Sequence, residues 1–180
     1  VRRQTLDVVS MLDEVVGKSK YFYFTEDDFE FCGSTLTALH YMINKANFYT
    51  PKPDPWTGIR CSFGLNGILM HNDPVPEGHL AGTDDDGGDD GDEGQKKRRK
   101  RKSGKALLAA GAEFNRKHGV YPDLTYFRDY LMEHFNRRPP DHLVVEWYAK
   151  ESQQSKRYFG SDRRVMAFRY NVARHTGGRQ

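Results

Sequence analysis

Residues 83–103 read TDDDGGDDGDEGQKKRRKRKS, and this stretch decides how the chain is divided. Seven acids (Asp84, Asp85, Asp86, Asp89, Asp90, Asp92, Glu93) precede seven bases (Lys96, Lys97, Arg98, Arg99, Lys100, Arg101, Lys102). Like charges repel and the interspersed glycines add backbone entropy, so the stretch cannot collapse on its own. It is expected to form a flexible linker over residues 83–104. On that reading an acidic α+β lobe spans residues 1–82 and a basic, mostly helical lobe spans residues 105–180.

The charge on either side supports the division. Residues 1–94 carry 7 Lys and Arg against 17 Asp and Glu, a net of −10. Residues 95–180 carry 21 against 8, a net of +13. Without the two blocks the first lobe is still −3 and the second still +6. The overall balance of +3 over 180 residues hides this asymmetry.

Composition narrows the class. Only 37% of residues are hydrophobic and 29% are charged, yet aromatics reach 13%, a share that disordered chains rarely carry. Folded parts interrupted by a very polar segment fit these values. No stretch approaches the ~18 apolar residues of a membrane span, and no charged-then-apolar leader opens the chain. Cys32 and Cys61 are too few for a disulfide framework or a four-cysteine zinc site.

Working outward, the first lobe reads as follows. Residues 6–16 place Val9, Leu12 and Val16 at helical spacing, with Gly17 as the stop. The run KYFYF (residues 20–24) is a short aromatic strand. Thr25 to Asp28 matches a capping box that would start one helical turn, or else forms the turn of a hairpin joining YFYF to FEFC. Ser34 or Thr35 caps a helix to about residue 47, with Leu36, Leu39, Ile43 and Ala46 on its core face. Gly-Leu-Asn-Gly at 64–67 joins residues 59–63 to 68–71 as a β-hairpin.

In the second lobe, residues 105–118 form a helix ended by Gly119. Asp123 caps another, whose core face is Leu124, Phe127, Leu131 and Phe135. The runs 142–149 and 163–174 each fit both a strand and a helix, and the alanines tip the reading toward helix. The fold class is therefore α+β: helices and a β-hairpin in the first lobe, then the linker, then a mostly helical lobe.

Three constellations carry chemistry. The first is His71-Asn-Asp73-Pro-Val-Pro-Glu77-Gly-His79, where imidazoles and carboxylates at short spacing are weak candidates for a metal. The competing reading is a polar turn closing the hairpin, and the spacing fits that reading better. The second is the acidic block, which fails as an EF-hand because a loop with Gly91 in sixth place puts Lys97 in twelfth. The third is basic and aromatic: Lys96 to Lys102, assisted by Arg163 and Arg164, would neutralise phosphates or meet an acidic partner. No nucleophile elbow, P-loop, zincin or dinucleotide motif is present. No cofactor is expected, and the chain reads as non-enzymatic.

The stretch from Asn66 to Gly78 resembles strand–turn elements of small phage structural proteins. It covers 13 of the 180 residues and transfers no function. The leading expectation is an assembly component, in a virion or the cytoplasm, that docks protein neighbours and takes nucleic acid as a further partner. The rival readings are a soluble nucleic-acid-binding regulator and a metal-dependent enzyme built on His71, Asp73, Glu77 and His79.

Overall fold

The aromatic run and the hairpin become three strands of one sheet. In the computed structural model, which describes residues 2–50, 56–62, 65–74, 117, 119–160, 163–169 and 171–176, β1 (Tyr21–Phe24) pairs antiparallel with β4 (Ile68–His71). Their register sets Tyr21 opposite His71 and Phe24 opposite Ile68. β4 also pairs antiparallel with β3 (Gly58–Arg60), the expected hairpin. The fourth strand is β5 (Val165–Ala167), which lies parallel to β3 with Ile59 opposite Met166. The order is β1-β4-β3-β5, so among the described residues β5 stands at one end of the sheet.

Alternation along these strands sorts two cores. Phe24, Ile68 and Met70 face the larger one, where they meet Val9 and Leu12 of α1 (Arg2–Val15). The same core takes Leu124, Phe127 and Leu131 of α3 (Asp123–His134), Trp147 of α4 (Pro140–Tyr148) and Phe159 of α5 (Gln153–Phe159). Leu69 and Ile59 face the opposite side, where Met42 and Ala46 of α2 (Thr35–Tyr49) cover Trp56 and Cys61. Helices thus lie on both faces of the sheet.

Elements on the two sides of the charged tract meet among the described residues. β5 from the far side of the charged tract completes a sheet begun by β1, β3 and β4, and α1 packs on α3. A second, two-stranded sheet also crosses the tract. β2 (Phe29–Phe31) pairs with β6 (Ala173–His175), with Glu30 opposite Arg174. The run of short-range charge describes the solvation of the tract, whereas pairing and burial join what lies beyond it. The tract itself and nearly all of the helix expected over 105–118 lie outside the described residues.

Other expectations change in detail. Residues 163–174 supply β5 and β6 rather than a helix. Alanine's helix preference amounts to a few tenths of a kcal/mol over ordinary residues, less than pairing and half-burial on a sheet provide. The segment Phe29–Phe31 is a strand, not a helical turn, and its partner is β6 rather than β1. Leu36, expected in the core, is 83% exposed, and Thr35 and Met42 are buried in its place. Asp141 lies in the first turn of α4, where its Oδ1 accepts from the Leu65 backbone N–H at 2.9 Å. Of the two free cysteines, Cys32 is exposed and Cys61 buried.

Gly17 does end α1, at φ +73°. Its N–H donates to Asn72 Oδ1 (2.8 Å), while Asn72 Nδ2 donates to the Val15 carbonyl (2.9 Å). A fully buried asparagine just past β4 therefore holds the helix terminus against the sheet.

Gly58 is required by space. A Cβ there would stand 2.5 Å from Tyr148 Oη and 2.7 Å from its Cζ. Gly58→Ala should cost about 1–3 kcal/mol, because the ring is buried and has nowhere to swing. Urea unfolding of Gly58→Ala against Gly58→Ala/Tyr148→Leu checks this. The shorter side chain should restore part of the loss.

Candidate functional site

Between the sheet and α3 lies a buried ion pair. Asp123, at the first position of α3, and Arg163, just before β5, are 1% and 6% exposed. The guanidinium grips the carboxylate with both ends, Nη1 to Oδ1 at 2.9 Å and Nη2 to Oδ2 at 2.6 Å. Tyr158 Oη donates to the same Oδ1. Arg163 Nη2 also reaches the Trp56 carbonyl at 3.3 Å. The rings of Tyr121, Tyr158 and Phe159 stand 5.2, 5.6 and 5.6 Å from the guanidinium carbon. Burial works against the charged guanidinium, but the Asp123 carboxylate outweighs it and Arg163 is held charged. Burial pushes Asp123 up, against the opposing pull of Arg163.

One layer further out sits His71, the last residue of β4 and 4% exposed. Its ring stacks on Trp56, centroids 4.0 Å apart, with Tyr21 and Tyr121 at 5.3 and 5.5 Å. Neither ring nitrogen has a hydrogen-bond partner. Each such buried orphan costs about 1–3 kcal/mol. Burial first, and then the charge of Arg163, holds His71 down to about 3, while Asp73 pulls the other way. The Trp56 main chain also raises it, without reaching hydrogen-bond geometry. At neutral pH the ring is uncharged, with one N–H donor and one acceptor nitrogen.

His71 lines a cleft of about 230 Å³. Lys20 and Tyr21 from the start of β1 form one wall, and Asn47 and Thr50 from the end of α2 form another. Asp73 closes the third side, its Oδ2 accepting from the Tyr121 N–H at 2.8 Å.

No family model matches the chain, and neither a curated protein nor a solved structure is similar to it. The site therefore rests on its own geometry.

The residues singled out in the sequence are distributed as follows. His71 and Asp73 meet in the cleft, but His71 is buried under Trp56 rather than offered by an exposed turn. Glu77 and His79 lie outside the described residues, among which no three His, Cys, Asp or Glu side chains gather around a common point. Lys96, Lys97, Arg98, Arg99, Lys100, Arg101 and Lys102 also lie outside the described residues. Arg164 is exposed. Its neighbour Arg163, expected to face phosphate, is turned inward onto Asp123 instead, because only a carboxylate at that depth can compensate a buried guanidinium.

A second surface was not anticipated. On the outer side of α2, Tyr41, Phe48 and Tyr49 are 54%, 77% and 65% exposed. Lys45 lies among them, its Nζ 5.7 Å from the Tyr41 ring and 5.9 Å from the Tyr49 ring. Tyr41, Lys45 and Tyr49 border a groove of about 130 Å³ that Met166, Ala167 and Phe168 also line, at β5. The signal was in the sequence. These residues recur three and four apart in a helix whose core face was read as the opposite stripe.

Proposed function

We propose that the chain is a non-enzymatic assembly component, of the kind found in virus or phage particles, that docks a protein neighbour on the outer face of α2. The observation that carries this is the stripe Tyr41, Phe48 and Tyr49, three large aromatics left in water on one helix. Exposed aromatics grouped in this way, with a cation among them, are the composition of interaction surfaces rather than of ordinary solvated faces. The groove extends the stripe to β5, which among the described residues is flanked by a strand on one side.

One further point supports a binding role. An imidazole held down to about 3 is a poor general base near neutrality, so His71 is ill-suited to proton transfer. No helix among the described residues is long and apolar enough to cross a membrane.

The test is sedimentation of the purified chain across micromolar to millimolar concentration. The expected result is association beyond the monomer, lost in Phe48→Ser/Tyr49→Ser with thermal stability unchanged, since neither side chain is buried. A wild-type chain that stays monomeric, yet binds a random duplex with a steep salt dependence carried by Lys96 to Lys102, would replace this reading with that of a nucleic-acid-binding regulator.

A further inference from the structure

If α2 is a docking face, as proposed above, the groove beside it selects the occupant. The groove holds about 130 Å³, close to the ~150 Å³ at which an apolar cavity takes up benzene. Met42, Met166 and Phe168 line it, so its walls are apolar and adaptable. Lys45 lines it too, its Nζ 5.7 Å from the Tyr41 ring and 5.9 Å from the Tyr49 ring. An aromatic ring entering there meets apolar walls and a cation, both of which favour it.

The same helix carries such a ring with no pocket in its own chain. Phe48 is 77% exposed, the most exposed aromatic of the stripe. It meets Tyr49 edge-on, centroids 5.4 Å apart, so it stands beside the groove that Tyr49 borders. Knob and socket on one face make that face self-complementary. Two copies related by a two-fold axis can exchange them, as a closed dimer requires.

Area and charge both fit a second copy. An aromatic side chain covers about 150–250 Å² when buried. At 54%, 77% and 65% exposure, Tyr41, Phe48 and Tyr49 together offer about 300–500 Å² per copy. Two copies, with the groove lining added, reach the low end of specific interfaces, about 1,000–1,200 Å² in total. A weak, reversible dimer follows from that area. α2 contains one lysine and no Arg, Asp or Glu. An acidic partner would find a single cation on this helix, whereas an aromatic one finds a socket.

We propose that the α2 face docks a second copy of this chain in a closed two-fold dimer, with Phe48 of each copy seated in the groove between α2 and β5 of the other.

The experiment is sedimentation equilibrium of the full chain from micromolar to millimolar concentration. It compares the wild type, Phe48→Ser, Ala167→Trp and an equal mixture of the two variants. Phe48→Ser removes the knob and keeps the groove. Ala167→Trp fills the groove and keeps the knob. Both positions are exposed, so thermal midpoints should match the wild type. Wild-type mass should level off at two copies. Each variant alone should dimerise about tenfold more weakly or worse, as the loss of a central anchor does. In the mixture one Phe48 can still enter one open groove. It should therefore associate more tightly than either variant alone and less tightly than the wild type. Mass that grows past two copies, or a mixture no tighter than its components, overturns the proposal. Association lost in Phe48→Ser/Tyr49→Ser but untouched by Ala167→Trp overturns the exchange of rings and leaves α2 as a docking face. A chain that stays monomeric at millimolar concentration overturns it as well. A polyglutamate peptide that then binds through Lys45 would make an acidic neighbour the occupant of this face.

Discussion

Arg163→Met will lower the unfolding free energy by about 3–5 kcal/mol, the loss seen when one partner of a buried pair is removed. The size follows from what is left behind. Asp123 is 1% exposed, and after the substitution only Tyr158 still donates to its carboxylate among the bonds described here. The uncompensated charge has two exits, unfolding or taking up a proton. Proton uptake gives the prediction its second arm. Burial already raises Asp123 above the usual carboxylate range, and loss of Arg163 removes the opposing pull. A raised carboxyl is protonated in the folded state while the unfolded one ionises. Stability is therefore fullest below the unfolded value near 4 and falls as pH rises toward the folded one. The variant should accordingly be closer to wild type at pH 5 than at pH 8.

The double variant Asp123→Asn/Arg163→Met should recover most of the loss, since two neutral groups of similar shape leave no buried charge. Urea unfolding of the four proteins closes the cycle and should give a coupling of a few kcal/mol. A loss below about 1 kcal/mol in Arg163→Met would place this arginine at the surface, where exposed pairs contribute that little. It would then be available to phosphate after all.

How much of this was legible depends on the range over which each signal acts. The helices α1, α2 and α3 follow from spacing within a dozen residues, and Gly17 ends the first as expected, because periodicity and stop signals are local. The hairpin of β3 and β4 is equally local, announced by Gly64 to Gly67. β5 and β6 were not legible. Met166 and Phe168 alternate as a strand, but Val165, Phe168 and Val172 fit a helix as well. The partners that decide between them, Ile59 and Phe31, lie more than a hundred residues away. Asp123 lies 40 residues from Arg163, also beyond any local signal, so a double arginine that reads as a solvated cation pair contains one buried and one exposed member.

His71 failed differently. Its strand, residues 68–71, was read, but the polar, proline-rich residues after it made its end look exposed, whereas ILMH is buried throughout. The pairing of β3 with β5 across the charged tract was not legible either, because composition reports the solvation of a segment and carries no information on what its flanks pair with.

Replacing His71 with phenylalanine will flatten the acid limb of the stability curve. The sign follows from the direction of the shift. In the unfolded chain a histidine titrates near 6.5, while in the folded protein burial and Arg163 hold His71 down to about 3. Between those values the unfolded state binds a proton that the folded state does not. Stability is thus complete above about pH 7 and is lost as pH falls, by about 1.4 kcal/mol per unit until the folded value is reached. At pH 5 the loss from this group alone is about 2 kcal/mol relative to pH 7. The charged groups that bear on the ring are Arg163 and Lys20, which resist its protonation, and Asp73, which assists it. Phenylalanine keeps the stack on Trp56 and takes no proton in either state. The difference in unfolding free energy, His71→Phe minus wild type, should be constant above pH 7 and grow steadily in favour of the variant between pH 6.5 and pH 4. Every other carboxylate and histidine is common to both proteins and cancels, to the extent that the swap leaves its surroundings unchanged. Urea unfolding at half-unit pH intervals reads the difference directly. Two parallel curves would mean that His71 protonates in the folded protein as readily as in the unfolded one, which a ring enclosed by Trp56, Tyr21 and Tyr121 beside a paired arginine does not allow.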